Sequence, residues 1–207
     1  MRKNVWWRWH SLRSAILLKP GQFHDSMESA VEYEGGRAMK IIFLDIDGVL
    51  QPFENEDRFN HDLNETVELI KKRYNNDIYG KMDPYDVCAV YYDWDINAVR
   101  LLKECIQETG AEIAVSSGWR DFNDEERMRA LFRIHGLDKY ITAVLPKGRK
   151  EEAIKWYLKK NAAEIESYVV VDDYDMSSIF GTQMIRTRDR LTEENIQEIR
   201  NALRSDL

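Results

Sequence analysis

Residues 39–50 read MKIIFLDIDGVL, and this segment indicates the fold class. The unbroken apolar run IIFL is typical of a parallel strand that is covered on both faces of an α/β sheet. Asp45 and Asp47 follow the run, and Gly48 comes next. Two carboxylates at one strand end repel each other and cost stability unless a cation lies between them. The stretch therefore predicts a central strand that ends at a functional site.

Length and composition set bounds on the class of protein. The 207 residues, of which 43% are hydrophobic, suffice for one domain with a buried core and a small inserted subdomain. The formal charge of -7 does not attract nucleic acid to the surface as a whole. The two cysteines, Cys88 and Cys105, have no metal-like spacing, so we expect a reducing, cytoplasmic location. The aliphatic run AILL near the start is too short for a membrane span, and no membrane partner is expected.

Residues 1–38 differ from the rest of the chain, because they carry six Lys or Arg against four Asp or Glu and hold three of the six tryptophans. Two interpretations stay open. The segment is either a basic aromatic tail that contacts a membrane surface or nucleic acid, or an N-terminal extension that is disordered or not translated. The sequence EGGRA before Met39 favours a start of translation at Met39, since its codons can spell a ribosome-binding site. We therefore place the domain at residues 39–207.

From Met39 onward, strand-like and helix-like segments alternate. The predicted strands are residues 40–46, 112–117, 141–146 and 167–175. The predicted helices are residues 96–111, 123–136, 150–161 and 191–203, with Asp95 and Thr192 as N-caps and Gly110 as a stop. This alternation implies right-handed crossovers. We predict an α/β fold, a three-layer sandwich with a mostly parallel, Rossmann-like sheet.

The predicted strands end in side chains that can perform chemistry: Asp45, Asp47, Ser116, Ser117, Asp172, Asp173 and Asp175. Ligands of such sheets collect at the carboxyl ends of the strands. Carboxylates without a nearby His or Cys suit Mg²⁺ rather than Zn²⁺. Acids, a hydroxyl, a metal and a lysine together suit phosphoryl transfer, because its transition state needs positioning and charge neutralisation.

These motifs resemble, in order, those of the haloacid dehalogenase-like (HAD) superfamily. FLDIDGVL resembles the first motif, IAVSS the second and VVVDDYD the fourth, a strand that ends in two acids. The third motif is a lysine, for which Lys150 is preferred because it begins a helix, and Lys147 is the alternative. TGAEIAVSSGWR, VVVDDYDM and LTEEN are similar to the small HAD domains of Swiss Army Knife RNA repair proteins. The similarity spans roughly residues 39–205.

The resemblance implies roles for the first motif and for the metal. Asp45 would be the nucleophile, Asp47 the general acid and base, and Gly48 would leave room for the substrate. The implied Mg²⁺ ligands are the Asp45 side chain, the Asp47 backbone carbonyl and one acid of the last strand. Asp173 is preferred for that ligand and Asp172 comes second, while Asp175 is a candidate for orienting a metal-bound water.

The remaining candidates have two interpretations each. Ser116 is preferred over Ser117 as the hydroxyl that binds the transferring phosphoryl group, and for both a turn or helix-cap role stays open. Arg120 either contacts a substrate phosphate or pairs with an acid of the segment DFNDEE. Trp119 is interpreted as a core residue.

About forty residues separate the first strand from the helix at residues 96–111, too many for a plain connection. We predict a small cap inserted at about residues 52–93, with an amphipathic helix at 64–75. A small cap leaves an open site, which favours bulky phosphorylated substrates. Four tyrosines of the insert either stack on bases or pack the cap against the core: Tyr79, Tyr85, Tyr91 and Tyr92. His61 is expected at the surface.

Together these features predict a Mg²⁺-dependent phosphatase that hydrolyses a phosphomonoester through an aspartyl-phosphate. The expected substrate is a phosphorylated small molecule, such as a nucleotide, or a nucleic-acid end. A non-catalytic HAD-like binding module and a phosphotransferase are the alternatives. The presence of both Asp45 and Asp47 favours catalysis, because a binding module has little reason to retain Asp47.

Overall fold

The structure is a computed structural model, and it describes residues 38–204. Five strands form one sheet with the order β3-β2-β1-β4-β5, and every pair of neighbouring strands is parallel. The strands are β1 (Met39–Leu44), β2 (Glu112–Val115), β3 (Ile141–Val144), β4 (Ile165–Asp172) and β5 (Met184–Arg186). The predicted α/β fold is confirmed. The proposed extension, residues 1–38, lies outside the described residues apart from its last one.

β1 is buried on both faces of the sheet, as its apolar run predicts. Ile42 and Leu44 belong to one core cluster, whereas Ile41 and Phe43 belong to a second one. Successive side chains of a strand point to opposite faces, so the two clusters lie on the two sides of the sheet. The sheet is therefore the middle layer of a three-layer sandwich.

Helices supply the outer layers. They are α1 (Leu63–Tyr74), α2 (Pro84–Cys88), α3 (Ile96–Thr109), α4 (Glu125–Arg133), α5 (Lys150–Lys160), α6 (Ser177–Phe180) and α7 (Glu193–Ala202). Helices α5 and α6 bury side chains in the cluster of Phe43, and the others bury theirs in the cluster of Ile42. None of these helices combines the length and the apolar character that a membrane crossing requires.

Local signals fix the helix ends where the sequence predicts them. The Asp95 carboxylate accepts a hydrogen bond of 2.8 Å from the backbone N–H of Ala98 and begins α3. Gly110, with a φ of 70°, ends that helix in the left-handed region. Thr192 begins α7 in a capping box with Asn195.

The strand order reverses at β1, and this reversal locates the crevice for a ligand. The connections from β1 to β2 and β3 run through α3 and α4 on one face, whereas those to β4 and β5 run through α5 and α6 on the other. In such sheets a crevice opens at the carboxyl ends of the two strands where the direction changes. Here those strands are β1 and β4, which carry the predicted acids.

The segment between β1 and α3 packs against the domain core, because side chains such as Ile70 and Tyr79 belong to the same core cluster as Ile42. Besides α1 and α2 it contains two 3-10 helices and a π-helix at Ala89–Asp93. The fully buried Asp93 carboxylate accepts hydrogen bonds from the backbone N–H and the guanidinium of Arg58, and the Asp93 carbonyl accepts one of 2.9 Å from the Asn55 side chain. The cap boundaries at about residues 52–93 stay a prediction.

The tyrosines of this segment mostly pack rather than face solvent. Tyr79 is fully buried, and its hydroxyl donates to a backbone carbonyl of α4 at 2.9 Å. Tyr91 packs against the core, and Tyr92 stacks on His61 with ring centroids 3.8 Å apart. Tyr85 alone among the four tyrosines is exposed. His61 is exposed, as expected.

Candidate active site

One ammonium group joins the ends of β1 and β4. Lys150, the first residue of α5, places Nζ 2.7 Å from Oδ2 of Asp45 and 2.6 Å from Oδ2 of Asp172. Both carboxylates are buried, and the lysine side chain is about one fifth exposed. The structure thus brings Lys150, rather than Lys147, to the acids. Lys147 instead donates to the backbone carbonyl of Asp121 at 2.7 Å.

Burial and charge shift the proton affinities of this group. Burial, together with the nearby Asp45 charge, raises the pKa of Asp172 to about 7, although Lys150 and the Tyr174 backbone N–H oppose the shift. Burial alone would lower the pKa of Lys150, but Asp45 and Asp172 outweigh it and raise that pKa. The lysine therefore stays charged, and its charge is shared between two acids.

A third carboxylate completes an all-oxygen cluster. Asp45, Asp172 and Asp173 each offer an oxygen, and these oxygens lie within 4.8 Å of one another. Within residues 38–204, Lys150 forms ion pairs with Asp45 and Asp172, whereas the Asp173 carboxylate has no ion-pair partner. Three carboxylates against one ammonium leave an excess of negative charge that a divalent cation offsets. The donor set fits a hard cation such as Mg²⁺, so both acids predicted for β4 are in place.

The Asp47 carboxylate is hydrogen-bonded to Trp119, which the sequence analysis interprets as a core residue. The indole N–H of Trp119 donates to Oδ2 of Asp47 at 2.9 Å. Burial raises the pKa of Asp47, and the charges of Asp45 and Asp173 add to the increase, whereas Trp119 and Lys150 oppose it. The interpretation of Trp119 as a core residue is confirmed, and the structure adds a polar contact that the sequence did not predict. Its ring packs against the core, but its polar edge points at the predicted acid and base.

Gly48 has a φ of 68°, a conformation that favours glycine. A Cβ at this position would lie 2.7 Å from Cβ of Asp173 and 2.8 Å from Cζ of Phe53. The Gly48 carbonyl accepts a hydrogen bond of 2.7 Å from the Thr187 hydroxyl. The glycine was predicted to leave room for a substrate. The structure shows that it leaves room for Asp173, so that the loops after β1 and β4 can approach each other.

The two serines after β2 have different environments. Ser116 is buried, and its hydroxyl oxygen has no hydrogen-bond partner within residues 38–204. A buried hydroxyl left unpaired costs about 1–3 kcal/mol. Ser117 instead begins the 3-10 helix Gly118–Asp121, and its hydroxyl accepts the backbone N–H of Trp119 at 3.4 Å. Ser116 therefore retains the free hydroxyl that the predicted role requires, and Ser117 has the turn role.

Arg120 uses most of its guanidinium donors within the protein. Its guanidinium donates to four backbone carbonyls: those of Ser116, Ser117, Pro146 and Gly148. The side chain is almost fully buried, so these bonds use its donors away from solvent. Within residues 38–204, Arg120 forms no ion pair with an acid of the segment DFNDEE, and the substrate contact stays a prediction. Arg120 ties the loop after β2 to the loop that precedes Lys150, a role that depends on the path of the backbone and has no sequence signal.

Asp175 lies outside the cluster of carboxylates. It is exposed, its Oδ1 accepts the backbone N–H of Ser177 at 2.9 Å, and its Oδ2 lies 3.8 Å from Nη1 of Arg186. The structure therefore gives it a turn role at the start of α6. It does not bring Asp175 to the predicted metal ligands.

Comparison with known proteins gives one family. The model described as the HAD domain in Swiss Army Knife RNA repair proteins matches residues 41–196, which include all of the acids and Lys150. Comparisons with curated proteins and with solved structures found no match. The match supports a phosphatase of the HAD type in general, and HAD proteins typically use a metal, with which the acid cluster is compatible. From the start of β1 into α7, then, the chain belongs to the family of HAD domains found in Swiss Army Knife RNA repair proteins.

Proposed function

We propose that the protein is a Mg²⁺-dependent phosphatase that hydrolyses a phosphomonoester through an aspartyl-phosphate on Asp45. The observation that carries the proposal is the Lys150 ammonium between Asp45 and Asp172, with Asp173 in the same cluster. A purely structural ion pair has no need of two further carboxylates. A phosphoryl group brings negative charge that an ammonium and a metal neutralise.

The first step is attack by an Asp45 oxygen on phosphorus. An oxygen–phosphorus bond forms to Asp45, and the bond from phosphorus to the leaving oxygen breaks. Asp47, whose pKa is raised mainly by burial, donates a proton to that leaving oxygen. Lys150 and the Ser116 hydroxyl supply hydrogen bonds to the phosphoryl oxygens, which gives the Ser116 hydroxyl a partner.

The second step returns the protein to its starting state. Asp47, now a carboxylate, takes a proton from water while the water oxygen attacks phosphorus. The bond from phosphorus to Asp45 breaks, and inorganic phosphate leaves. One carboxyl group thus acts as acid and then as base, so protons balance over the cycle.

Asp45, Asp172 and Asp173 would hold the Mg²⁺ ion, together with the Asp47 backbone carbonyl that the family resemblance implies. When bound, the ion supplies positive charge next to the nucleophile and the phosphoryl group. Lys150 alone compensates only part of the charge of the three acids. We therefore expect the reaction to depend on added Mg²⁺.

Exposed aromatic rings on the loops that follow β1, β2 and β4 favour a substrate that carries a base. Phe53, Phe122 and Tyr174 are 57%, 82% and 67% exposed, and they lie on the loops after β1, β2 and β4. Phe53 closely approaches Gly48, and the backbone N–H of Tyr174 donates to Asp172 at 2.9 Å. Aromatic side chains stack on unpaired bases with little regard for sequence. A nucleotide or a single-stranded nucleic-acid end is therefore the proposed substrate, in keeping with the RNA repair context in the family's name.

The test is an assay of phosphate release from nucleotides, sugar phosphates and 3′- or 5′-phosphorylated oligonucleotides, with and without Mg²⁺. Asp45→Asn should lower the rate by at least about 10³-fold, since it removes the nucleophile. Asp77→Asn, at an acid that is 88% exposed, is the matched control and should keep the wild-type rate. A wild-type protein that releases no phosphate from any substrate in either condition would overturn the proposal in favour of a binding module.

The substrate class has its own measurement. Phe122→Ala should lower kcat/KM for a nucleotide or oligonucleotide by about 5-fold or more, because stacking contributes about 1–3 kcal/mol per base. The same variant should leave kcat/KM for a sugar phosphate unchanged. Trp156→Ala, which removes an exposed ring from α5, is the control. Equal values for both substrate classes would remove the support for a base-bearing substrate.

A phosphotransferase differs from a hydrolase only in the acceptor of the second step. Wild-type assays with added alcohols or nucleosides distinguish the two. A hydrolase releases one inorganic phosphate for each leaving group, whereas a transferase releases less phosphate than leaving group when an acceptor is present.

A further inference from the structure

The 3-10 helix after β2 directs one indole ring into the candidate active site. Gly118–Asp121 forms this turn immediately after the two serines, and Trp119 lies in it. The Trp119 ring is partly buried and packs against the main core cluster. Its N–H reaches Oδ2 of Asp47 at 2.9 Å across 72 residues of sequence. A contact between positions so distant in sequence is set by the tertiary fold.

The turn that carries this indole is held from several sides. The backbone carbonyl of Trp119 accepts hydrogen bonds from the N–H groups of Phe122, at 3.2 Å, and Asn123, at 3.0 Å. The side chain of Asn123 donates to Asp86 of α2 at 2.9 Å, and the buried Arg120 ties the same turn to the loop before α5. The position of the indole is therefore fixed before any substrate arrives.

Asp47 depends on this contact for its orientation. Within residues 38–204, Trp119 provides the side-chain hydrogen bond to the Asp47 carboxyl group. An indole N–H only donates, so it binds a carboxylate oxygen and equally the carbonyl oxygen of a protonated carboxyl group. It can therefore hold Oδ2 throughout the cycle and leave Oδ1 free to exchange a proton.

We propose that Trp119 is a positioning residue for proton transfer: it fixes Asp47 by binding Oδ2, so that Oδ1 faces the leaving oxygen. This inference rests on the proposed phosphatase function. In the first step the proton on Oδ1 moves to the leaving oxygen as the phosphorus–oxygen bond breaks. In the second step Oδ1 takes a proton from the attacking water. Small displacements of a proton donor cost large factors in rate, because the reacting atoms must be aligned.

The test compares two leaving groups, because only one of them needs the proton. A p-nitrophenolate group leaves as a stable anion, whereas an alkoxide needs protonation as it leaves. Trp119→Phe should therefore lower kcat/KM for an alkyl phosphate by about 10-fold or more while it changes kcat/KM for p-nitrophenyl phosphate by less than about 3-fold. Asp47→Asn should give the same pattern with a larger loss. Replacement of Trp119 by 3-benzothienylalanine keeps the shape of the ring, removes the N–H and should match Trp119→Phe.

The controls separate positioning from packing and from failure of the whole mechanism. Trp156→Phe makes the same change at an exposed tryptophan and should leave both rates unchanged. Equal losses for both phosphate esters in the Trp119 variants would overturn the inference, since loss of packing does not depend on the leaving group. No loss for either ester would also overturn it. A wild-type protein inactive on both esters would overturn this inference together with the proposed function, whereas an active wild type with either of the preceding results overturns this inference alone.

Discussion

Two fully buried aspartates illustrate two uses of buried charge in one domain. Asp93, in the segment between β1 and α3, is paired with Arg58 and receives that residue's backbone N–H as well. Asp172, at the end of β4, shares one lysine with Asp45 and lies beside Asp173. The first group is balanced by its own partners, whereas the second carries an excess of negative charge. The imbalance of charge, rather than burial, therefore distinguishes the candidate site.

The largest expected difference between the two groups comes from removing each cation. Lys150→Met and Arg58→Met each leave buried carboxylates without an ion-pair partner, which should lower the free energy of unfolding by about 3–5 kcal/mol in metal-free buffer. Added Mg²⁺ should restore part of the stability of Lys150→Met, because the ion supplies the missing charge. It should restore none in Arg58→Met. Chemical denaturation with EDTA or with Mg²⁺ measures both, and equal responses to Mg²⁺ would contradict the comparison.

Removing an acid should have opposite effects in the two groups. Asp93→Asn leaves Arg58 without a carboxylate and should cost about 3 kcal/mol of stability, with the activity per folded molecule kept. Asp45→Asn reduces repulsion among three acids, so the metal-free protein should be as stable as the wild type or more so, while activity is lost. Thermal melts measure the stability of both variants, and assays of phosphate release on the same samples measure their activity. A strong destabilisation by Asp45→Asn would show that the cluster also stabilises the fold.

Mg²⁺ should stabilise the folded protein only by binding to the cluster of Asp45, Asp172 and Asp173. At a concentration of about 100 times its Kd, a ligand that binds only the folded state adds about 2.7 kcal/mol. We expect Mg²⁺ to raise the Tm of the wild type and of Asp93→Asn, and to raise that of Asp173→Asn much less. Calorimetric titration gives the affinity directly. If Asp173→Asn binds Mg²⁺ as tightly as the wild type, Asp173 is not a ligand.

The smallest effect expected concerns pH and the segment that Asp93 anchors. His135 stacks on Trp94 and bonds to the Val90 carbonyl through Nε2 at 2.7 Å, and burial lowers the pKa of His135 below its ordinary 6.5. Below about pH 6.5 the unfolded chain binds a proton at His135 that the folded chain does not, so the contribution of His135 to stability falls as the pH falls. Each pKa unit of difference is worth about 1.4 kcal/mol.

His135→Gln removes the titrating ring, so the stability of the variant relative to that of the wild type should increase as the pH falls. Urea denaturation between pH 5 and 8 measures the slope of stability against pH. An unchanged slope in His135→Gln would show that another group is responsible.

Strands and helices were predictable where the local signal was complete. The run IIFL predicted β1, and Asp95 and Gly110 predicted both ends of α3. β5 was missed, because three residues between polar neighbours show no period. Side-chain partners were harder to predict than elements.

The sequence favoured Lys150 over Lys147 because Lys150 begins a helix, and the structure brings Lys150 to the acids. That the start of this helix points at the acids has no local signal. The polar contacts of Trp119 and Arg120 have no sequence signal for a related reason. Their partners lie on other loops, and only the tertiary path of the backbone brings those loops together. The pairing of Arg58 with Asp93, 35 residues apart, had no local signal either.

Arg120 has a consequence for any attempt to redesign the protein. The Arg120 guanidinium donates hydrogen bonds to the carbonyls of residues 116 and 117 and to those of residues 146 and 148. The loop after β2 and the loop before α5 therefore form a single module. If only one of these loops were replaced by the loop of a relative, the Arg120 guanidinium and the backbone carbonyls would no longer be positioned to form these hydrogen bonds. New specificity is therefore better introduced on the loop that carries Phe53 or the one that carries Tyr174, and the module around Arg120 is best exchanged only as a whole.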